Sequence, residues 1–554
     1  MHGSRGSVHP LHFTDEESFG LFVQGLRSLQ QYEDAAATER PLKDELDRTM
    51  QSALRSFRDC TSRFSSDLLP FFYLGVTLSM KNQDAYVDRL VELTAELTAF
   101  GRSLAFEDEA KVLEIIPPRE SDKTQREAKR DFAKKHAHEQ KNFAQPFFDL
   151  AHRSWPLLEA SSRLFQSLTD NPANPVPQDL QRVARYNLAQ VLARRGSQEG
   201  KESSYLADAL RAVEDQSLED IAKLESDAKH KENKYREFSQ LPKSVWKRNW
   251  PPAREKREQE LKTLRREIRS IYETIALIFQ FRALRETLKL RIAALDPGPS
   301  LALAAHAVES VKEEIQKTRL FDPSFKADLL ADFLTKTGYA KYEFASNRHL
   351  QQYVATDHHT AKALKVVHTS SPNASFFMAQ AATDLTMALE LKEYWNPAQI
   401  YLALVRRIQA GMSEALSDLA KYDKASALAD DVKEKARAEH DIEDSSAQES
   451  KAAQNKDSAE MKEFGSKKLK HLERLDEITA RMGITSIKHD RQIADHDREA
   501  KRCANEADAL FRSLRGFPSP APASTQANPD SSVTAKPASD SSATSSGKPK
   551  AATG

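Results

Sequence analysis

Two histidines seven residues apart, each opening the tripeptide His-Asp-Arg, have the most regular ligand-like spacing in this sequence. In HDRQIADHDREAKRC (489–503), His489, Ile493, His496, Ala500 and Cys503 fall on one helical face. Seven residues span roughly 10 Å of helix, so the two imidazoles cannot reach one metal within a single helix. Between two chains, the same spacing could stack histidine layers and make pairing sensitive to pH or metal. The plainer reading is a set of polar positions on a partly exposed amphipathic helix. We take it and assign no metal site.

A second histidine group, His349, His358, His359 and His368, matches no standard zinc spacing, and His358 and His359 would point to different sides of a helix. A third candidate is KSVWKRNWPPAREKR (243–257). There Trp246 and Trp250 alternate with Lys243, Lys247, Arg248, Arg254, Lys256 and Arg257. Such a patch, with Trp246, Lys247, Arg248 and Trp250 at its centre, could stack bases or dock at a lipid headgroup layer. The competing reading is a loop whose tryptophans anchor the helix started by Pro251–Pro252.

No phosphate-cradling, dinucleotide, zincin, nucleophile-elbow or Cys-x-x-Cys motif occurs. HEQKN (138–142) opens like a zincin motif but lacks the second histidine. We therefore expect no enzyme activity, no cofactor and no catalytic residue.

The elements that carry these residues follow from composition. The 554 residues include 82 Lys plus Arg and 82 Asp plus Glu, so the formal net charge is zero. No strong nucleic-acid or anionic-lipid signal arises from the overall field. Gly is scarce at 16, while Ala, Leu, Glu, Lys and Arg abound, which favours helix. Cys60 and Cys503 are far apart, consistent with a reducing cytoplasm. The opening MHGSRGSVHPLHF lacks a signal-peptide core, and IYETIALIFQF (271–281) is too short and polar to cross a bilayer. A cytoplasmic, all-α protein is expected.

Along the chain, 14–106 reads as N-terminal helical hairpins, with LLPFFYLGVTLSM (68–80) and YVDRLVELTAELTAF (86–100) separated by a polar break at Lys81–Asp84. A charged linker or helix covers 107–142, interrupted by Pro117–Pro118. A helical block at 143–240 precedes the basic Trp/Pro loop at 241–260. In the long helix 261–296, Leu261, Leu264, Ile268, Ile271, Ile275 and Ile278 form a coiled-coil-like seam. Fewer than three heptads are sustained, so we read it as a helix packed on its neighbours. A second block spans 300–423. Residues 424–460 hold few large apolar side chains and read as a solvated helix or connector. Helices resume over 461–516, and the Pro/Ala/Ser/Thr-rich tail 517–554 reads as disordered.

Residues 184–196, ARYNLAQVLARRG, hold Tyr186, Leu188–Ala189, Leu192 and Gly196 in the pattern of a first repeat helix. The partner helix would carry Leu206, Ala209, Leu210 and Val213. This unit resembles a tetratricopeptide repeat, with an insert at the turn. Degenerate units resemble it at Leu74–Gly75 with Leu78, at Pro323 with Leu330–Ala331, Leu334, Gly338 and Ala345, and at Pro397 with Leu402–Ala403, Gly411 and Ala415–Leu416. The spacing of these units is irregular, so no even array follows. The resemblance implies antiparallel hairpins stacked as a degenerate α-solenoid, with Gly196, Gly338 and Gly411 at turns. It also implies a non-catalytic scaffold that takes a protein or peptide partner on its first helices, at Asn187, Gln190 and Arg194. The alternatives are a coiled-coil protein, homodimeric through its long helices, and an accessory regulatory subunit of a separate enzyme.

Overall fold

The computed structural model describes residues 13–38, 41–115, 123–151, 155–169, 176–199, 202–214, 221–240, 251–295, 300–318, 323–346, 373–394 and 396–515. Every regular element among them is a helix; no strand occurs in the described residues. The all-α expectation holds for this part of the chain.

Helices α1 (Glu16–Ala36), α2 (Lys43–Arg63) and α3 (Leu68–Glu92) enclose one core. Asp15 caps α1, accepting from Ser18 N at 2.8 Å, because that amide has no partner inside the helix. Phe22 and Phe57 are fully buried and lie against Tyr73, at 5.4 and 5.9 Å between ring centroids. Helix α3 runs through Lys81–Asp84 without a break. The expected interruption is absent because that stretch has no Gly or Pro and its polar groups find places: Asn82 is buried and Asp84 accepts from Tyr32 Oη at 2.8 Å.

The chain turns at Leu93 into α4 (Thr94–Ile115), then α5 (Lys123–Phe143) and α6 (Gln145–Ala151). Pro117–Pro118 lie outside the described residues, between α4 and α5. There follow α7 (Pro156–Thr169), α8 (Gln178–Glu199), α9 (Glu202–Glu214) and α10 (Ile221–Gln240). The long α11 (Pro251–Leu295) starts inside the stretch expected as loop, with proline in its first turn, where no backbone donor is missed. Its seam is covered by this chain's own helices. Ile275 and Ile278 are buried, and Ile271 and Ile275 join a core with α12 (Ser300–Lys317) and α13 (Pro323–Ser346) that includes Val308, Val311, Ile315 and Phe333.

The largest core joins α3 to α9 with α13, α14 (Asn373–Leu391) and the first part of α15 (Asn396–Gln454). Beyond residue 420, α15 leaves this core and continues without interruption, pairing with α16 (Ser458–Arg515). At about 1.5 Å per residue, the part beyond residue 420 is an arm on the order of 50 Å long. The stretch read as solvated helix or connector is one side of this arm. Helices α4, α11 and α15 cross the domain limits expected at 106, 260 and 423. The tail 517–554 lies outside the described residues.

The glycines expected at hairpin turns are not there. Gly196, Gly338 and Gly411 all lie within continuous helices, as does Gly75, which the repeat pattern places inside a first helix, and Ala345 and Ala415 share the helix of the glycine before them. Three of these glycines serve close packing instead. A Cβ on Gly75 would stand 3.0 Å from the Phe165 ring, and one on Gly338 would stand 2.7 Å from Leu385 Cγ. At Gly411 a Cβ would overlap the Thr98 carbonyl of α4.

Candidate functional site

Helix α8 carries the three residues expected to meet a partner, and it turns two of them toward the protein's interior. Asn187 is buried and donates through Nδ2 to Val183 O of its own helix at 2.9 Å. Arg194 crosses to α3, where its Nη2 donates to Ser79 Oγ. Gln190 is half-buried beside Tyr186. The apolar face of α8 explains this placement. Leu188, Ala189, Val191 and Leu192 are all buried, so only a narrow polar edge remains, and Asn187 and Arg194 flank the core.

Around Arg194 the structure gathers a polar cluster from five helices. Arg291 of α11 pairs with Glu343 of α13, Nε to Oε2 at 2.5 Å and Nη2 to Oε1 at 2.9 Å, with both residues buried. The same Nη2 donates to Ala193 O at 3.1 Å, which brings this pair beside Arg194. The Arg291 guanidinium lies over the Tyr339 ring at 5.2 Å, and Tyr339 packs on Tyr401 of α15 at 4.3 Å. Burial pushes the Tyr86, Tyr339 and Tyr401 hydroxyls above their ordinary range, with the Glu343 charge adding to it. These phenols are neutral donors at physiological pH. Burial also lowers the Arg194 pKa, yet a guanidinium stays charged throughout the physiological range.

The arm is held differently. Between its helices the buried residues are small, Ala438, Ser445 and Ala452 on α15, facing α16, where Ile478 is buried. Ion pairs connect the two rods: Lys424–Asp490 at 2.7 Å, Asp431–Arg481 at 2.7 Å, Glu434–Arg481 at 2.6 Å, Glu434–Arg474 at 2.9 Å and Glu449–Lys468 at 3.4 Å. At the tip, Lys456 takes a left-handed φ of 56°. Asp457 then caps α16, accepting from Ala459 N at 3.0 Å and Glu460 N at 3.2 Å.

On the side of α16 opposite these contacts, large apolar side chains face outward. Leu469 is 58% exposed, Leu472 39%, and Ile484 and Ile487 71% each. With 3.6 residues per turn these four share one face, together with Ala480 and Gly483. Sequence reading missed this face. An inner set (Leu475, Ile478, Met482) and the outer set overlap along one helix and blur its periodicity.

His489 and His496 are half-buried on the α15-facing side of α16. No group of three or more potential metal ligands exists among the described residues. Trp246, Lys247, Arg248 and Trp250, and the histidines at 349, 358, 359 and 368, lie outside the described residues. No described helix is long and apolar enough to cross a membrane. Comparison with protein-family models, with curated proteins and with solved structures finds no match to this chain.

Proposed function

We propose that this chain is a non-catalytic protein-interaction scaffold or adaptor of the cytoplasm, in which a body of helix hairpins carries a rigid arm. The observation that carries this reading is the outward apolar face of α16, at Leu469, Leu472, Ile484 and Ile487. Isolated exposed apolar residues are ordinary, but two isoleucines at 71% exposure on one face of a projecting arm call for a partner. The tetratricopeptide-like reading belongs to the same proposal. It rests on α8 and α9, where Leu188, Ala189 and Leu192 pack in one core with Leu206, Ala209 and Val213. The binding surface we favour is the arm rather than Asn187, Gln190 and Arg194.

The test is an Ile484→Asp/Ile487→Asp chain. Both side chains stand in solvent, so melting temperature and helicity should stay as in the parent. Protein partners captured from the native host should be lost. An unchanged set of partners with the fold intact overturns the assignment.

A second reading, self-association through the same face, draws on its spacing. The doublets 469/472 and 484/487 are mirror images in sequence. An antiparallel copy would set Leu469 against Ile487 and Leu472 against Ile484. Asp476 and Glu477 would then approach their own copies, so such a dimer should tighten as salt screens them. Sedimentation at low and high salt decides: a monomer at both ends this reading.

A further inference from the structure

We infer that the outward face of α16 takes a basic amphipathic helix of another protein. This rests on the scaffold reading above and adds the chemistry of the partner. Between the doublets Leu469–Leu472 and Ile484–Ile487 stand Glu473, Asp476 and Glu477, all exposed. With about 100° between successive helical residues, Glu473 and Asp476 point within about 40° of the direction of Leu469, and Glu477 within about 80°. The apolar face therefore carries an acidic middle.

These carboxylates are set apart from the acids that hold the arm together. Asp431, Glu434, Glu449 and Asp490 are engaged in ion pairs between the two rods. No ion pair or side-chain hydrogen bond reaches Glu473, Asp476 or Glu477 among the described residues. The arginines close to them in sequence turn away, since Arg474 pairs with Glu434, and Arg481 with Asp431 and Glu434. Lys470 and Lys488 stand at the two ends, each about 100° around the helix from Leu469 or Ile487. Glu473 and Glu477 are four residues apart, a like-charge spacing that weakens the helix carrying it.

Charge then selects the occupant. A helix bearing lysine or arginine can lay apolar residues on the two doublets and its bases against the carboxylates between them. A second copy brings acid to acid, and an anionic membrane surface is repelled. Ala480 and Gly483 are exposed on the same face, and a Cβ on Gly483 would meet nothing within 4 Å, so a partner backbone has room to approach there. Leu469 and Ile487 are separated by about 27 Å, which asks for a partner helix of about eighteen residues.

The test uses the full-length chain and two synthetic helical peptides. Both carry leucine doublets spaced as on α16; one has lysines between them and the other glutamates. By fluorescence anisotropy the lysine peptide should bind about tenfold more tightly than the glutamate peptide. High salt should close that gap. Glu473→Gln/Asp476→Asn/Glu477→Gln changes only exposed, unpaired groups. It should keep the parent's melting temperature and treat the two peptides alike. Ile484→Asp/Ile487→Asp should bind neither. Carbodiimide, which joins carboxylates to amines in direct contact, should link peptide lysines to the segment 473–477.

Equal binding of the two peptides by the parent, or binding of neither, overturns the inference. So does a dimer of the parent through this face at low salt, which would assign it to a second copy. Co-sedimentation with phosphatidylserine vesicles would assign it to a membrane and overturns the inference too. Partners captured from the native host separate this failure from that of the scaffold reading. Partners lost from the isoleucine variant yet kept by the carboxamide variant overturn the basic-helix inference alone. Partners kept by both overturn the scaffold reading as well. Partners lost from both, and linked by carbodiimide to 473–477 through lysine, support it.

Discussion

Gly101 of α4 and Gly411 of α15 lie against one another's helix backbones. A Cβ on Gly411 would overlap the Thr98 carbonyl, and one on Gly101 would overlap the Ile408 carbonyl. The contact is reciprocal, so the two rods approach as closely as backbones permit where the arm's helix leaves the body. Ion pairs from Arg102 to Glu414 at 3.1 Å and to Asp418 at 2.8 Å flank the crossing.

Gly411→Ala should therefore destabilise the fold, because the obstructing atom is backbone and cannot rotate away. A loss of about 1–3 kcal/mol in urea unfolding is expected. Gly483→Ala on the arm is the matched control. It has nothing within 4 Å of the added Cβ, so helix propensity alone acts, and a gain of about 0.5–1 kcal/mol is expected. Equal effects at the two positions would contradict the crossing.

How far the sequence could be read follows from the same glycines. Composition, the boundaries near Ile115 and Lys123, and the helical nature of 261–295 were legible because they depend on local propensity and on proline. The pairing of Gly101 with Gly411 joins positions 310 residues apart. The Leu-Ala-x-x-Leu-plus-Gly pattern is the same for a hairpin turn and for a tight helix crossing, so sequence alone took crossings for turns. The arm was hidden for a different reason. Its helices meet through Ala438, Ser445 and Ala452 and through ion pairs, and a window poor in large apolar residues looks the same whether solvated or paired. Asn187 and Arg194 were read as surface because polar residues usually are; only the packed structure shows that Asn187 is buried and that Arg194 reaches across to α3.

The arm should loosen in acid before the body does. The guanidiniums of Arg474 and Arg481 hold the Glu434 carboxyl below its ordinary range, and Lys424 with Ser486 does the same for Asp490. A depressed folded pKa means that the stabilisation is present above the unfolded value, near 4, and is lost as pH falls through the lower folded value. Hydrogen exchange by mass spectrometry should show peptides from 424–500 opening first as pH drops below about 4. Added salt at neutral pH should open them modestly by screening. Arm and body peptides exchanging in step at every pH would refute an arm held by ion pairs.

Breaking the Arg291–Glu343 pair from one side should cost far more than removing both members. Glu343→Gln leaves a buried guanidinium with no counter-charge, for an expected loss of about 3–5 kcal/mol. Arg291→Leu/Glu343→Leu removes both charges and should regain most of that loss, since well-packed apolar replacements of buried pairs are often neutral. Thermal or urea unfolding of the two variants supplies the comparison, and additive losses would show that the residues act independently.

Both cysteines should resist alkylation in the folded chain. Cys60 and Cys503 are free and fully buried. Burial, reinforced by the Glu499 charge, pushes the Cys503 thiol up to about 11. Reactivity follows the thiolate fraction, so at pH 8 Cys503 should react roughly 200-fold more slowly than an unperturbed thiol near 8.5, before burial adds its own barrier. The shift also carries a stability term of definite sign. The folded state holds this proton more tightly than the unfolded chain, so its contribution is complete below about pH 8.5 and declines as pH rises toward 11. Cys503→Ala should remove that decline. Rapid labelling of Cys503 in folded protein at pH 8, or an alkaline stability profile identical in Cys503→Ala, would show that this end of α16 is open to solvent rather than packed against the body.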